Sequence, residues 1–127
     1  MKAEVSKALE EIQATFPEGK LTSTEDGQGG AWFFVDEVDA GKSLLPEKIW
    51  IGADISAQYP YADIYPIFVS NELRRADGSP LGEAIALNIG FHGRNATQIS
   101  RRSNHRDPGI ETAAIKLQKV LAWLKRN

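Results

Sequence analysis

Apolar residues return at Val5, Leu9, Ile12 and Phe16, with Ala8 on the same side. Steps of three and four predict an amphipathic helix, and Pro17 and Gly19 predict its end. The period then shortens. Residues 20–24 read as a strand, followed by a turn at Asp26-Gly27-Gln28-Gly29-Gly30. Residues 31–38 carry Trp32, Phe33, Phe34 and Val35, a β-rich run suited to a central strand. In 48–55, Ile49, Ile51, Ala53 and Ile55 alternate while Trp50 faces the other way, again a strand.

Pro60 and Pro66 interrupt the next stretch, and each pushes its preceding tyrosine toward an extended backbone. Strand character resumes over 67–73. Asp77-Gly78-Ser79-Pro80 marks a turn before a further strand over 84–91. From 93 to 106 no period survives, and the polar, Arg-rich composition predicts a loop. The last element reads as a helix with Asp107 as N-cap and Pro108 at its first position. Its stripe runs through Ile110, Ala113, Leu117, Val120 and Leu124, and Lys125 and Arg126 suit its C-terminal end. The order is helix, four or five strands, loop, helix: an α+β domain with an antiparallel meander.

Composition narrows the chemistry. The 127 residues fit a single domain spanning 1–127, with ordinary hydrophobic (42%) and charged (25%) fractions. The absence of cysteine excludes disulfides, thiolate zinc sites and thiol catalysis. A formal net charge of −2 gives no reason to expect a nucleic-acid partner. No run approaches the roughly 20 apolar residues of a membrane span, and no signal-like stretch opens the chain, so a cytoplasmic location without membrane contact is expected.

Two Tyr-Pro elements, Tyr59-Pro60 and Tyr65-Pro66, follow the third strand, and Phe91-His92-Gly93-Arg94-Asn95 precedes a polar segment containing Ser100 and Ser103. In this order the chain resembles the ubiquitin-conjugating (UBC-like) family, particularly the compact bacterial versions from ubiquitin-like conjugation operons. The resemblance spans nearly the whole chain. It implies a UBC-like fold, an adenylating activating enzyme and a ubiquitin-like protein as partners, and no cofactor. The family's His-Pro-Asn tripeptide is incomplete here: His92 and Asn95 are present, the proline is absent and the spacing differs. Its catalytic cysteine is missing, and a cysteine replaced by serine would leave the same sequence. Ser100 and Ser103 compete for the place.

A serine hydroxyl needs a base or strong polarisation to act as nucleophile. His92 and His105 flank the segment as candidate bases, and Asn95 or backbone N–H groups are candidate oxyanion donors. The resemblance thus implies either a serine that carries the ubiquitin-like C-terminus as an oxyester, or a non-catalytic module that only binds. Arg94, Arg101 and Arg102, with Tyr59 and Tyr65, are the candidate partner-binding residues; arginines suit an acidic surface or a terminal carboxylate.

Other signals fail on spacing or context. Gly41-Lys42-Ser43 lacks the first glycine of a phosphate-binding loop, since Asp36 stands there. His92 and His105 have no adjacent third ligand for zinc. Asp36, Glu37 and Asp39 read as an exposed strand end in preference to a hard-cation site.

Overall fold

A computed structural model describes residues 1–103 and 106–126. The first helix, α1 (Ala3–Thr15), buries Val5, Ala8, Leu9 and Ile12, the stripe its spacing predicts. Its end is sewn to the first strand by Gln13. The side-chain amide donates to the carbonyls of Phe16 and Gly19 and accepts the Leu21 N–H. Strands β1 (Lys20–Glu25) and β2 (Ala31–Asp39) form a hairpin. Asp26 Oδ1 fixes their turn by accepting from the N–H groups of Gln28 and Gly30.

Next come β3 (Leu44–Leu45), β4 (Lys48–Ile55), β5 (Ile67–Ser70) and β6 (Arg74–Arg75). The chain closes with β7 (Ile85–Phe91), β8 (Arg94–Ile99) and α2 (Ala113–Arg126). Six strands make one antiparallel sheet in the order β1-β2-β4-β5-β8-β7, while β3 and β6 pair separately. The α+β layout of N-terminal helix, antiparallel sheet and C-terminal helix is therefore as expected.

Three expectations need correction. The 93–106 stretch is not all loop, because 94–99 forms β8, paired on both sides by β5 and β7. Ala96, Thr97 and Ile99 are fully buried there. His92 and Gly93, with φ of 44° and 87°, make the two-residue turn from β7 to β8. Hairpins of this length need positive φ at their centre, so His-Gly was a turn signal that polarity concealed. The expected meander of four or five strands is a six-stranded sheet, and its order breaks here, since β5 neighbours β8 and leaves β7 at the edge.

The final helix begins later than its apolar spacing suggests. Asp107 caps only a turn, accepting the Gly109 N–H on Oδ1 and the Ile110 and Glu111 N–H groups on its carbonyl. Helix α2 starts at Ala113, with Thr112 Oγ1 accepting from the Ile115 N–H. A threonine cap of this kind satisfies one of the otherwise unpaired N–H groups of the first turn. Ile110 is thus 69% exposed and outside the stripe.

Both helices lie on one face of the sheet. There Val5, Ile12, Phe33, Val35, Ile51, Ile55, Ile67, Val69, Ile99, Leu117 and Leu124 form one core with α1 and α2. Side chains of this size contribute roughly 1.5–3 kcal/mol each when fully buried. The opposite face holds a second, smaller cluster of Phe34, Phe68, Phe91 and Ala96, flanked by Trp32, Trp50 and Ile89. No helix covers that cluster among the described residues, and none is long and apolar enough to cross a membrane.

Candidate functional site

The β7–β8 turn does not sit near the helices. Its tip reaches across the outer face of the sheet. The Phe91 ring stacks on Phe68 at 4.1 Å and meets Phe34 edge-on at 5.4 Å. His92 stacks on Trp32 at 4.0 Å, and its Nε2 lies 2.8 Å from Asp54 Oδ1. Arg94 stands 3.9 Å above the Phe34 ring and 5.2 Å from that of Trp50, while both guanidinium nitrogens donate to Asp36 at 2.7 and 3.1 Å.

Space for these rings is made by Gly52. A Cβ there would meet the Phe33 carbonyl at 2.6 Å, Phe91 at 3.1 Å and Phe34 at 3.3 Å. A bulge in β7 at Asn88 (φ 59°) adjoins the bent hairpin. Asn71 holds that bulge, accepting the Asn88 N–H at 2.8 Å and donating to its Oδ1 at 2.9 Å.

Among the described residues, His92 and Asn95 stand apart from both candidate serines. His92 is engaged by Asp54 and Trp32, and no hydrogen bond joins it to either serine. Asn95 donates to Asn88 Oδ1 at 3.3 Å. It stands five residues before Ser100 along extended chain, roughly 16 Å at strand rise, too far to hold an oxyanion there. Ser100 Oγ accepts from the Gln98 side chain at 3.0 Å, and its N–H donates to Ala84. His105 lies outside the described residues. Arg94 belongs to the outer face, away from Arg101 and Arg102. Tyr59 is turned inward, only 7% exposed, and its hydroxyl accepts the Ala113 N–H at the start of α2. That burial leaves it no surface for a partner.

Ser103 has a different setting, and sequence reasoning missed most of it. Lys116 projects from α2, only 3% exposed, and its ammonium donates to three acceptors: Ser103 Oγ (3.0 Å), Asp63 Oδ2 (3.0 Å) and the Arg101 carbonyl (2.8 Å). Asp63 also accepts the Ser103 N–H at 2.9 Å. Behind them Arg106 Nε lies 3.3 Å from Glu111 Oε2 and 3.7 Å from Asp63 Oδ1, and Lys119 hydrogen-bonds Glu111 Oε1. Burial pushes the Glu111 carboxyl up, but the hydrogen bonds from Lys119 and Ser103 and the Lys119 charge outweigh it. The group ends below the ordinary 4.5. One signal in the sequence pointed here: Lys116 falls three residues after Ala113 and four before Val120, on the buried stripe.

This polar layer fixes the segment after β8 against α2, and a cleft of about 360 Å³ opens between them. Arg101, Arg102 and Ser103 line one side; Lys119, Trp123 and Arg126 line the other, with Lys116 at the back. Arg101 stands 4.6 Å over the Trp123 ring, and Arg102 stands 4.0 Å over Tyr65. Among the described residues Arg101, Arg102 and Arg126 have no carboxylate within ion-pair distance. No cluster of metal-ligating side chains occurs among those residues. The arrangement can attract anions and offers one hydroxyl at its edge.

Fold and site together define a class, a two-layer α+β domain with a cationic cleft beside its C-terminal helix. Compared with protein-family models, curated proteins and solved structures, the chain matches none of them.

Proposed function

We propose that the chain is a non-catalytic UBC-like binding module, holding a ubiquitin-like protein or its activating enzyme through the segment that follows β8. The observation that carries this reading is the pair of arginines there. Arg101 and Arg102 rest on aromatic rings without carboxylate partners among the described residues. Exposed arginines held in this way suit an acidic surface that brings several carboxylates together. Tyr61, 81% exposed, extends the same side of the molecule, where Arg106 donates to its carbonyl.

A second reading keeps Ser103 as an acyl carrier, because its oxygen accepts from the Lys116 ammonium and its hydroxyl is drawn toward Glu111. Lys116 is fully engaged as a donor, and a carboxyl held below 4.5 is a weak base at neutral pH. Binding is therefore preferred.

The test mixes the protein with an adenylating enzyme and a ubiquitin-like protein of a bacterial conjugation operon, and ATP. The binding reading expects a complex by size-exclusion chromatography, lost on Arg101→Glu/Arg102→Glu, and no covalent adduct. An adduct that resists thiol reductant, yields to hydroxide and disappears in Ser103→Ala would overturn it in favour of the carrier.

A further inference from the structure

Charge matching separates the cations of the cleft into two kinds. Lys116 is answered by Asp63, and Lys119 by Glu111, both held behind the cleft wall. Among the described residues Arg101, Arg102 and Arg126 remain unanswered. Three guanidinium groups around about 360 Å³ are held there in part by a buried framework. The Lys116 ammonium fixes the Arg101 carbonyl, and the Trp123 and Tyr65 rings fix the two guanidinium planes. Unmatched like charges in one hollow repel each other, and the repulsion is relieved by an anion bearing more than one charge.

We infer that this cleft is a binding site for a small phosphorylated ligand, which places a phosphoryl dianion among Arg101, Arg102 and Arg126. A phosphate monoester carries about −1.5 to −2 charge at neutral pH and three strong acceptor oxygens. Guanidinium forks match those oxygens in pairs. A single carboxylate has one charge and two oxygens, and would leave part of the set unsatisfied. The volume lies at the small end of the range for ligand pockets, roughly 300–1,000 Å³, which suits a mononucleotide or smaller. This inference goes beyond the partner reading and does not rest on it, because it is tested on the isolated chain.

Sodium pyrophosphate, AMP and sodium acetate are titrated separately into the protein at constant ionic strength. Binding is read from tryptophan fluorescence and from amide chemical shifts in ¹H–¹⁵N spectra. The expected result is saturable binding of pyrophosphate and AMP, with shifts confined to 101–103 and 116–126, and no saturable response to acetate. Equal affinity for the two phosphates identifies the phosphoryl group alone as the recognised part; tighter AMP adds the nucleoside. Arg101→Gln and Arg126→Gln, both on exposed side chains, are each expected to weaken pyrophosphate at least tenfold while keeping the native spectrum elsewhere. Binding should also weaken as salt rises. An acetate response equal to that of pyrophosphate, shifts spread over the surface, or unchanged affinity in both variants would overturn the proposal.

Discussion

Arg94 and Arg101 each rest over an aromatic ring, yet they stand in opposite electrostatic positions. Arg94 covers Phe34 on the outer face and is answered by both oxygens of Asp36. Beside it His92 is answered by Asp54. Both side chains of the β7–β8 hairpin tip meet a carboxylate, and the tip closes over the aromatic cluster as part of the fold. Arg101 covers Trp123 at the edge of the cleft and is answered by no carboxylate among the described residues. The same stacking contact thus closes one region and leaves the other open to an anion. A stacked arginine does not by itself mark a binding site.

The sharpest break in this comparison lies behind the cleft. Lys116→Met removes the ammonium that joins Ser103, Asp63 and the Arg101 carbonyl, and leaves the largely buried Asp63 carboxylate with the Ser103 N–H and the more distant Arg106. Losing one partner of a buried pair costs about 3–5 kcal/mol. Urea denaturation should show a loss of that size, and a midpoint within error of the parent would remove the layer's structural role.

On the other face, Gly52→Ala sets a methyl against the Phe33 carbonyl and the Phe91 and Phe34 rings. Overpacking of this kind costs about 1–3 kcal/mol. The near-ultraviolet circular dichroism of the aromatic cluster should change with it. Unchanged dichroism and stability would mean that the hairpin tip is not seated in the Gly52 notch. Arg94→Gln removes a bidentate pair and a cation–π contact from a partly exposed site, and about 1 kcal/mol is expected by the same denaturation assay. If Arg94→Gln is neutral, its matched pair is no more structural than the unmatched arginines.

A smaller effect is expected in acid. The Glu111 carboxyl is held below its unfolded 4.5, so its contribution is fully present above that pH and is lost as pH falls through the lower folded value. Thermal midpoints measured from pH 6 to 3 should decline less steeply in Glu111→Gln than in the parent. Parallel curves would show that Lys119 and Ser103 do not hold the group down.

Local patterns made much of this fold readable. The α1 stripe, the β2 aromatic run and the β4 alternation each carry their own period, and all three elements form where expected. Strand β8 was hidden because its Arg-Asn-Ala-Thr-Gln-Ile composition is polar, although neighbours on both sides bury Ala96, Thr97 and Ile99. Strand identity there comes from tertiary pairing and not from a local preference. The start of α2 was misplaced because Asp107-Pro108 has the residues of a helix cap but closes only a turn. The site was the least readable part. Arg101, Arg102 and Ser103 were singled out, but nothing local joins them to Asp63, Glu111, Lys116 or Trp123, which come from distant stretches of chain.

The least disruptive substitution is the one that separates the two arginines most cleanly. Arg101→Gln removes an exposed charge that has no ion-pair partner to strand among the described residues, and with it the contact over the Trp123 ring. Surface changes of this sort usually stay within about 0.5 kcal/mol. Relief of repulsion from Arg102 and Arg126 acts in the opposite direction to the lost ring contact. Denaturation midpoints near the parent's are therefore expected, together with the weakened pyrophosphate binding described above. Arg94→Gln should give the converse, a loss of stability with pyrophosphate affinity unchanged. If instead Arg101→Gln destabilises the chain as much as Arg94→Gln does, the Arg101–Trp123 contact is part of the fold, and the distinction between answered and unanswered arginines fails at the position where it was drawn.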